Sequence, residues 1–156
     1  MIRMYTALGS IAVGALLLAT HDGAAQERRL GSIDFPNSGA PVAQGAFIEG
    51  VLLLHSFEFE DAATAFRAAQ QADPDFALAY WGEAMTYNHP LWREQDRAAA
   101  LAALARYAPT PEARAARAPT PREAGYLEAV DVLYGEGSKA ERDEAYMRAM
   151  GRLSAS

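Results

Sequence analysis

The chain contains no cysteine, and lysine occurs once, at Lys139. Without cysteine there can be no structural disulfide, no thiolate nucleophile and no thiolate-bound zinc. The 14 Lys and Arg residues are outnumbered by 20 Asp and Glu residues, which gives a formal net charge of -6 at pH 7. Because non-specific nucleic-acid binding needs clustered basic residues, we expect no nucleic-acid partner.

Sequence motifs of common catalytic sites are absent as well. There is no glycine-rich phosphate loop, no G-x-S-x-G and no H-E-x-x-H. The acidic run EFED, residues 58–61, lacks the alternating carboxylates and central glycine of a calcium loop. It suits the start of a helix, where negative charge is favoured. We therefore predict no enzymatic activity, no cofactor and no bound metal.

The N-terminus carries a short apolar stretch behind Arg3. Residues 7–19, ALGSIAVGALLLA, form an apolar run of thirteen residues, which is too short to cross a bilayer comfortably. Small residues, Gly23 and Ala25, stand where a signal peptidase recognises its substrate. The pattern predicts a signal peptide over residues 1–25 and a periplasmic or secreted protein that does not contact the membrane after cleavage. An uncleaved membrane anchor is the alternative.

Two predicted helix pairs follow an extended lead-in. Residues 26–41 mix Gly, Pro, Asn and Ser without a helical period, which is typical of an extended segment. Residues 42–109 then contain four helical stretches. Pro74 and Pro109 end the second helix of each pair, because proline cannot donate a hydrogen bond to the preceding turn. The sequence therefore predicts two antiparallel helix pairs in this region.

The first helices of the two pairs repeat at an interval of 34 positions, and the second helices one residue later. Gly50 precedes Ala84 by 34 positions, and His55 precedes His89 by the same number. A regular period of helix pairs is typical of helical-repeat proteins.

The C-terminal part repeats the pattern less clearly. Residues 110–119 predict a short connector, and residues 120–156 predict a degenerate third helix pair with Gly135 and Gly137 at its break. Helical-repeat arrays usually need a capping element at their ends. A truncated structural fragment of a longer helical-repeat protein is therefore one alternative interpretation of the chain.

The two helix pairs of residues 42–109 resemble the tetratricopeptide repeat family, whose pattern is W-x2-L-G-x2-Y, then A-x3-F, then P. Gly50, Ala62, Phe66 and Pro74 match pattern positions in the first copy. The stretches LLHSFEFEDAATAF and AYWGEAMTYNHPLW also resemble a group of considerably longer, exported bacterial tetratricopeptide repeat proteins. The resemblance implies an all-α fold, a right-handed α-solenoid of antiparallel helix pairs whose first helices line a concave groove.

Helical spacing places two stripes of side chains on the first helices of the two pairs. The resemblance implies that these stripes line the groove. The face is aromatic and polar rather than basic, so we expect a protein or peptide partner with an apolar segment. A core position is the alternative for the large aromatic residues. The predicted partner-binding residues are Phe47, Val51, His55, Trp81, Met85, Asn88 and His89.

Neighbouring residues receive more ordinary roles. Tyr80 and Tyr87 are predicted to pack in the core, and residues 90–92 to form the turn into the next helix. Equal positions in stacked repeats would bring His55 and His89 together, which leaves a metal- or small-molecule-binding protein as a second alternative. Two histidines alone do not make a zinc site, however. The sequence predicts a non-catalytic, exported protein–protein interaction module.

Overall fold

The computed structural model describes residues 30–155, so the predicted signal peptide lies outside the described residues. The prediction of an all-α protein is confirmed, because helices make up most of the described part and strands very little. None of the helices described there is both long and apolar enough to span a membrane. The helices are α1 (Pro41–His55), α2 (Phe59–Ala72), α3 (Ala77–Met85), α4 (Arg97–Tyr107), α5 (Pro111–Arg117), α6 (Pro121–Leu133) and α7 (Lys139–Ser154).

Local sequence sets most of the helix starts. The helices α1, α5 and α6 begin with proline, whose fixed φ and missing N–H suit the first helical position. The side chains of Asp96, Thr110 and Thr120 accept a hydrogen bond from the first turn of α4, α5 and α6. Ser138 and Glu141 form a reciprocal capping box at the start of α7.

The helices pack mainly with their neighbours along the chain. Helix α1 packs on α2, α3 on α4, α5 on α6, and α6 on α7. Helix α3 also contacts α1, α2 and α6, which places it at the centre of the described part. All of its residues from Ala77 to Ala84 are buried as a result.

Close packing at α3 depends on glycine. A Cβ atom on Gly82 would lie 2.3 Å from the Phe66 ring, and one on Gly50 would lie 2.9 Å from the same ring. Phe66 is completely buried, so α2 can approach both first helices only because these two positions lack a side chain.

The second helix pair departs from the prediction. Helix α3 ends at Met85 rather than near His89, and α4 begins at Arg97. Between them a short antiparallel ribbon pairs β1 (Asn88–His89) with β2 (Glu94–Gln95). Residues 90–93 are therefore the tip of this hairpin and not a direct turn into α4. The predicted connector over residues 110–119 contains the short helix α5.

A buried carboxylate joins three helices. Glu83 on α3 is 2% exposed, and its carboxylate accepts a hydrogen bond of 2.6 Å from Gln70 Nε2 on α2. Arg67 on α2 forms an ion pair with it at 3.3 Å, and Arg106 on α4 forms a second ion pair. Two arginines thus compensate one buried charge, which couples the first helix pair to the second.

A second buried ion pair holds α5 against α6. Arg114 is 3% exposed, and its Nε atom lies 3.0 Å from Oδ1 of Asp131. A further guanidinium N–H donates to the carbonyl oxygen of Ala108 at 2.7 Å. Burial is the largest influence on the carboxyl of Asp131 and raises its pKa, while the hydrogen bonds from Arg114 lower the pKa.

Candidate binding cavity

An aromatic cavity of about 370 Å3 lies between α1, α3, α6, α7 and the lead-in segment, residues 30–40. Leu54, Met85, Pro90 and Met150 complete its apolar wall, and His55 and Asn88 contribute polar atoms. Lysine, arginine, aspartate and glutamate do not occur among its lining residues. The aromatic lining residues are Phe35, Phe57, Phe59, Trp81, Tyr126 and Tyr146.

The lead-in segment forms one wall of this aromatic cavity through Phe35. The ring centroid of Phe35 lies 5.5 Å from that of Phe47, 6.0 Å from that of Trp81 and 5.7 Å from that of Tyr126. Arg122 lies over the rings of Phe35 and Tyr126 at 5.2 and 5.0 Å. Phe35 therefore packs against the core, although most other residues of the segment are exposed and none lies in a helix or strand.

A buried carboxylate fixes the lead-in segment to α6. Glu123 is 1% exposed and accepts hydrogen bonds from the backbone N–H of Ser38 at 2.9 Å and from its hydroxyl at 2.7 Å. The hydroxyl of Thr120 donates to the same carboxylate at 3.0 Å. Hydrogen bonds to a charged acceptor are stronger than neutral ones, so Glu123 is the main polar anchor of this wall.

We expect Glu123→Gln to lower the free energy of unfolding by about 2 kcal/mol. The glutamine amide would place its own N–H group against the donors of Ser38 and Thr120, which need an acceptor. Amide hydrogen exchange over residues 36–40 should become faster at the same time, since the lead-in segment loses its anchor. The exposed Glu128 on the same helix provides the control, and Glu128→Gln should change neither quantity. Unchanged exchange over residues 36–40 in Glu123→Gln would contradict this account.

Trp81 lies on α3 at the wall of the aromatic cavity and is 5% exposed. Its indole Nε1 is buried and has no hydrogen-bond acceptor among the described residues. Its ring packs edge-on against Tyr126, with 5.0 Å between the centroids. A buried N–H without an acceptor lowers stability, so the position of this indole is set by the packing of its ring and not by a polar contact.

Four of the seven predicted binding residues line the aromatic cavity, namely His55, Trp81, Met85 and Asn88. The side-chain amide of Gln95 donates to Oδ1 of Asn88 at 3.1 Å, which adds a side-chain contact between the two strands of the ribbon.

The other predicted residues lie elsewhere. Phe47 and Val51 are completely buried, so their assignment to an accessible groove was wrong. Phe47 packs against Phe66 and Phe76, with centroid distances of 5.9 and 4.7 Å, because the first part of α1 faces the core. His89 belongs to the ribbon, and its ring stacks on that of Phe59 from α2, with 4.1 Å between the ring centroids.

Both histidines in the described part of the chain use one ring nitrogen in their own helix or turn. Nδ1 of His55 donates to the carbonyl oxygen of Val51 at 2.8 Å, and Nε2 of His89 donates to that of Thr86 at 2.9 Å. Nδ1 of His89 lies 3.9 Å from a carboxylate oxygen of Glu94. Within the described range no group of three or more His, Cys, Asp or Glu side chains is arranged to hold a metal ion.

Most of the aromatic lining was not predicted from the sequence. Tyr126 and Tyr146 come from α6 and α7, where the repeat pattern is weak. Phe57 follows α1 and has a left-handed φ of 62°, which no periodic pattern indicates. Its ring lies 6.3 Å from that of Trp92 at the hairpin tip, so the ribbon brings a further aromatic residue beside the aromatic cavity.

A second, charged pocket of about 520 Å3 adjoins the aromatic cavity and shares four lining residues with it. Arg93 from the hairpin tip and Lys139 and Asp143 from α7 supply its charges. The shared residues are Met85, Asn88, Pro90 and Tyr146.

Comparison with known proteins identifies no relative, since no family model, curated protein or solved structure matches the chain.

Proposed function

We propose that this chain is a non-catalytic, exported interaction module that binds a peptide segment or a partner helix in the aromatic cavity. The observation that carries the proposal is the lining, which combines six aromatic residues and two methionines with no lysine, arginine, aspartate or glutamate. Aromatic residues and methionine are enriched at protein interfaces, and charged residues are depleted at their centre.

A tetratricopeptide-like, right-handed α-solenoid is the arrangement that we propose for the helices. It is supported by the contacts of α1 with α3 and of α3 with α6, since first helices of successive repeats pack in this order. Each of these first helices, α1, α3 and α6, packs against the helix that follows it, namely α2, α4 and α7. Helix α5 is then an insertion between the second and third pairs. The aromatic cavity then lies on the face that the first helices share.

Export to the periplasm or the cell exterior is part of the proposal. It rests on the apolar run and the small residues of positions 1–25 alone.

Binding of a small apolar molecule is a second candidate, favoured by the volume of the aromatic cavity. A volume of about 370 Å3 falls in the range of small-molecule sites. The two candidates predict different affinities for a free aromatic molecule such as indole or toluene. A site for small molecules should bind it as tightly as a peptide. A peptide site should bind it more weakly, because the peptide backbone contributes to binding.

A matched pair of methionines on α7 tests the proposed site. Met150 lines the aromatic cavity, whereas Met147 on the same helix is 66% exposed and does not. Peptides selected from a displayed random library would be synthesised with amidated ends and titrated against the Trp92→Phe protein, in which Trp81 is the remaining indole. We expect Met150→Gln to raise Kd about tenfold, or 1.4 kcal/mol, and Met147→Gln to leave it unchanged.

Folding and site occupancy are checked in the same experiment. Circular dichroism should give similar helix content for both methionine variants, and binding should shift the emission of Trp81. Selected peptides without a large apolar residue, or equal affinities for the two variants, would overturn the proposal. Failure to select any peptide would overturn it too and favour the small-molecule candidate.

A further inference from the structure

The charged pocket extends the aromatic cavity at the end formed by the hairpin tip and α7. Met85, Asn88, Pro90 and Tyr146 belong to the walls of both. The two pockets are therefore direct neighbours, so adjacent residues of one bound segment could contact both.

One positive charge in the charged pocket lacks a counterion. Nζ of Lys139 lies 2.6 Å from Oδ2 of Asp143, so these two charges compensate each other. Arg93, by contrast, is exposed and takes part in none of the ion pairs found within residues 30–155. Its neighbour Glu94 lies beside His89. The charged pocket thus carries one uncompensated positive charge in a protein whose formal net charge is -6.

The backbone of Arg93 is also unusual. Its φ of 58° lies in the left-handed region, which favours glycine and is uncommon for a residue with a long side chain. The hairpin accounts for this conformation, since loops built on a type I turn commonly place a following residue in the left-handed region. The turn at residues 90–93 thereby holds Arg93 at the hairpin tip, where it lines the charged pocket.

We propose that the partner segment carries an acidic side chain next to its apolar anchor, and that its carboxylate binds Arg93 in the charged pocket while the anchor fills the aromatic cavity. The proposal rests on the proposed function and adds the chemistry of the partner. Arginine suits this role because its planar guanidinium can give two parallel hydrogen bonds to one carboxylate.

Two families of synthetic peptides test the proposal. Each peptide has capped ends and one phenylalanine as its apolar anchor. In the first family a single glutamate follows the phenylalanine, at a different position in each peptide. The second family has glutamine at the same positions. We expect at least one glutamate peptide to bind the wild-type protein about tenfold more tightly than its glutamine counterpart at low salt. The preference should decrease as salt is added, because exposed charges are screened.

Three protein variants locate the charge responsible. Arg93→Gly suits the left-handed φ and should fold normally, yet it should abolish the preference for glutamate. Arg93→Lys should retain part of that preference. Arg148→Gln removes one charge from an exposed ion pair with Glu144 outside the charged pocket, and it should leave the preference unchanged.

The outcomes separate this proposal from the proposed function. Equal binding of both peptide families, with Met150→Gln weakening both, would overturn the role of Arg93 and leave the aromatic cavity as the binding site. A glutamate preference that survives in Arg93→Gly would likewise overturn it. If phenylalanine peptides of neither family bind, the proposed function fails and the acidic partner with it.

Discussion

Replacing Arg114 with methionine is expected to lower the free energy of unfolding by about 4 kcal/mol at neutral pH. The change leaves the carboxylate of Asp131 in a mostly buried position without its cation. It also removes the donor that reaches the carbonyl oxygen of Ala108. Methionine fills much of the same volume, so the expected loss comes from the uncompensated charge and the unpaired carbonyl rather than from a void.

The size of this loss should depend on pH. Burial raises the pKa of Asp131, and Arg114 opposes the rise, so its removal should raise the pKa of that carboxyl further. A carboxyl with a folded pKa above its unfolded value binds protons more tightly when folded, so acidification stabilises the folded state relative to neutral pH. The difference between wild type and variant should therefore be largest above the folded pKa and shrink as the pH falls through it.

Urea unfolding followed by circular dichroism at several pH values measures both effects. The control is Arg148→Met, which breaks an exposed ion pair on α7 and should change the free energy of unfolding by less than about 1 kcal/mol. In the double variant Arg114→Met, Asp131→Leu the buried charge is gone, and much of the lost stability should return. A pH-independent loss in the single variant would show that the charge of Asp131 is not its cause.

The sequence predicts local features of this molecule well. Pro74 follows the end of the first helix pair, and Gly135 and Gly137 separate α6 from α7, as their positions in the sequence predict. Helical spacing grouped Trp81 with Met85, and the structure places both at one cavity. These features depend on dihedral restriction and on the helical period, both of which act within a few residues.

Features that depend on distant residues were not predicted. Phe35 reaches the aromatic cavity because Glu123, 85 positions beyond Ser38, anchors the lead-in segment. Glu83 stands where the repeat pattern has leucine, and only the fold reveals that arginines from α2 and α4 compensate its charge. A repeat pattern specifies which residue types are typical of a position, but it does not identify the partner that makes an atypical residue tolerable.

Replacing Gly82 with alanine is expected to lower the free energy of unfolding by about 3 kcal/mol. The added Cβ would lie 2.3 Å from Cε1 of Phe66, and that ring also faces the backbone of Gly50. Because Phe66 is completely buried, the ring cannot turn outward to make room. Either α3 must move away from α2, or Phe66 must leave its preferred rotamer.

A smaller side chain at Phe66 should relieve this clash. Phe66→Leu alone should destabilise the protein by creating a void, but together with Gly82→Ala the loss should be smaller than the sum of the two single losses. Gly45 is the matched control, since a Cβ there meets nothing within 4 Å, and Gly45→Ala should raise stability by about 1 kcal/mol through helix propensity. Urea unfolding measures these losses. If the losses of Gly82→Ala and Phe66→Leu are instead additive, a clash with the Phe66 ring is not the reason why alanine at position 82 destabilises the protein.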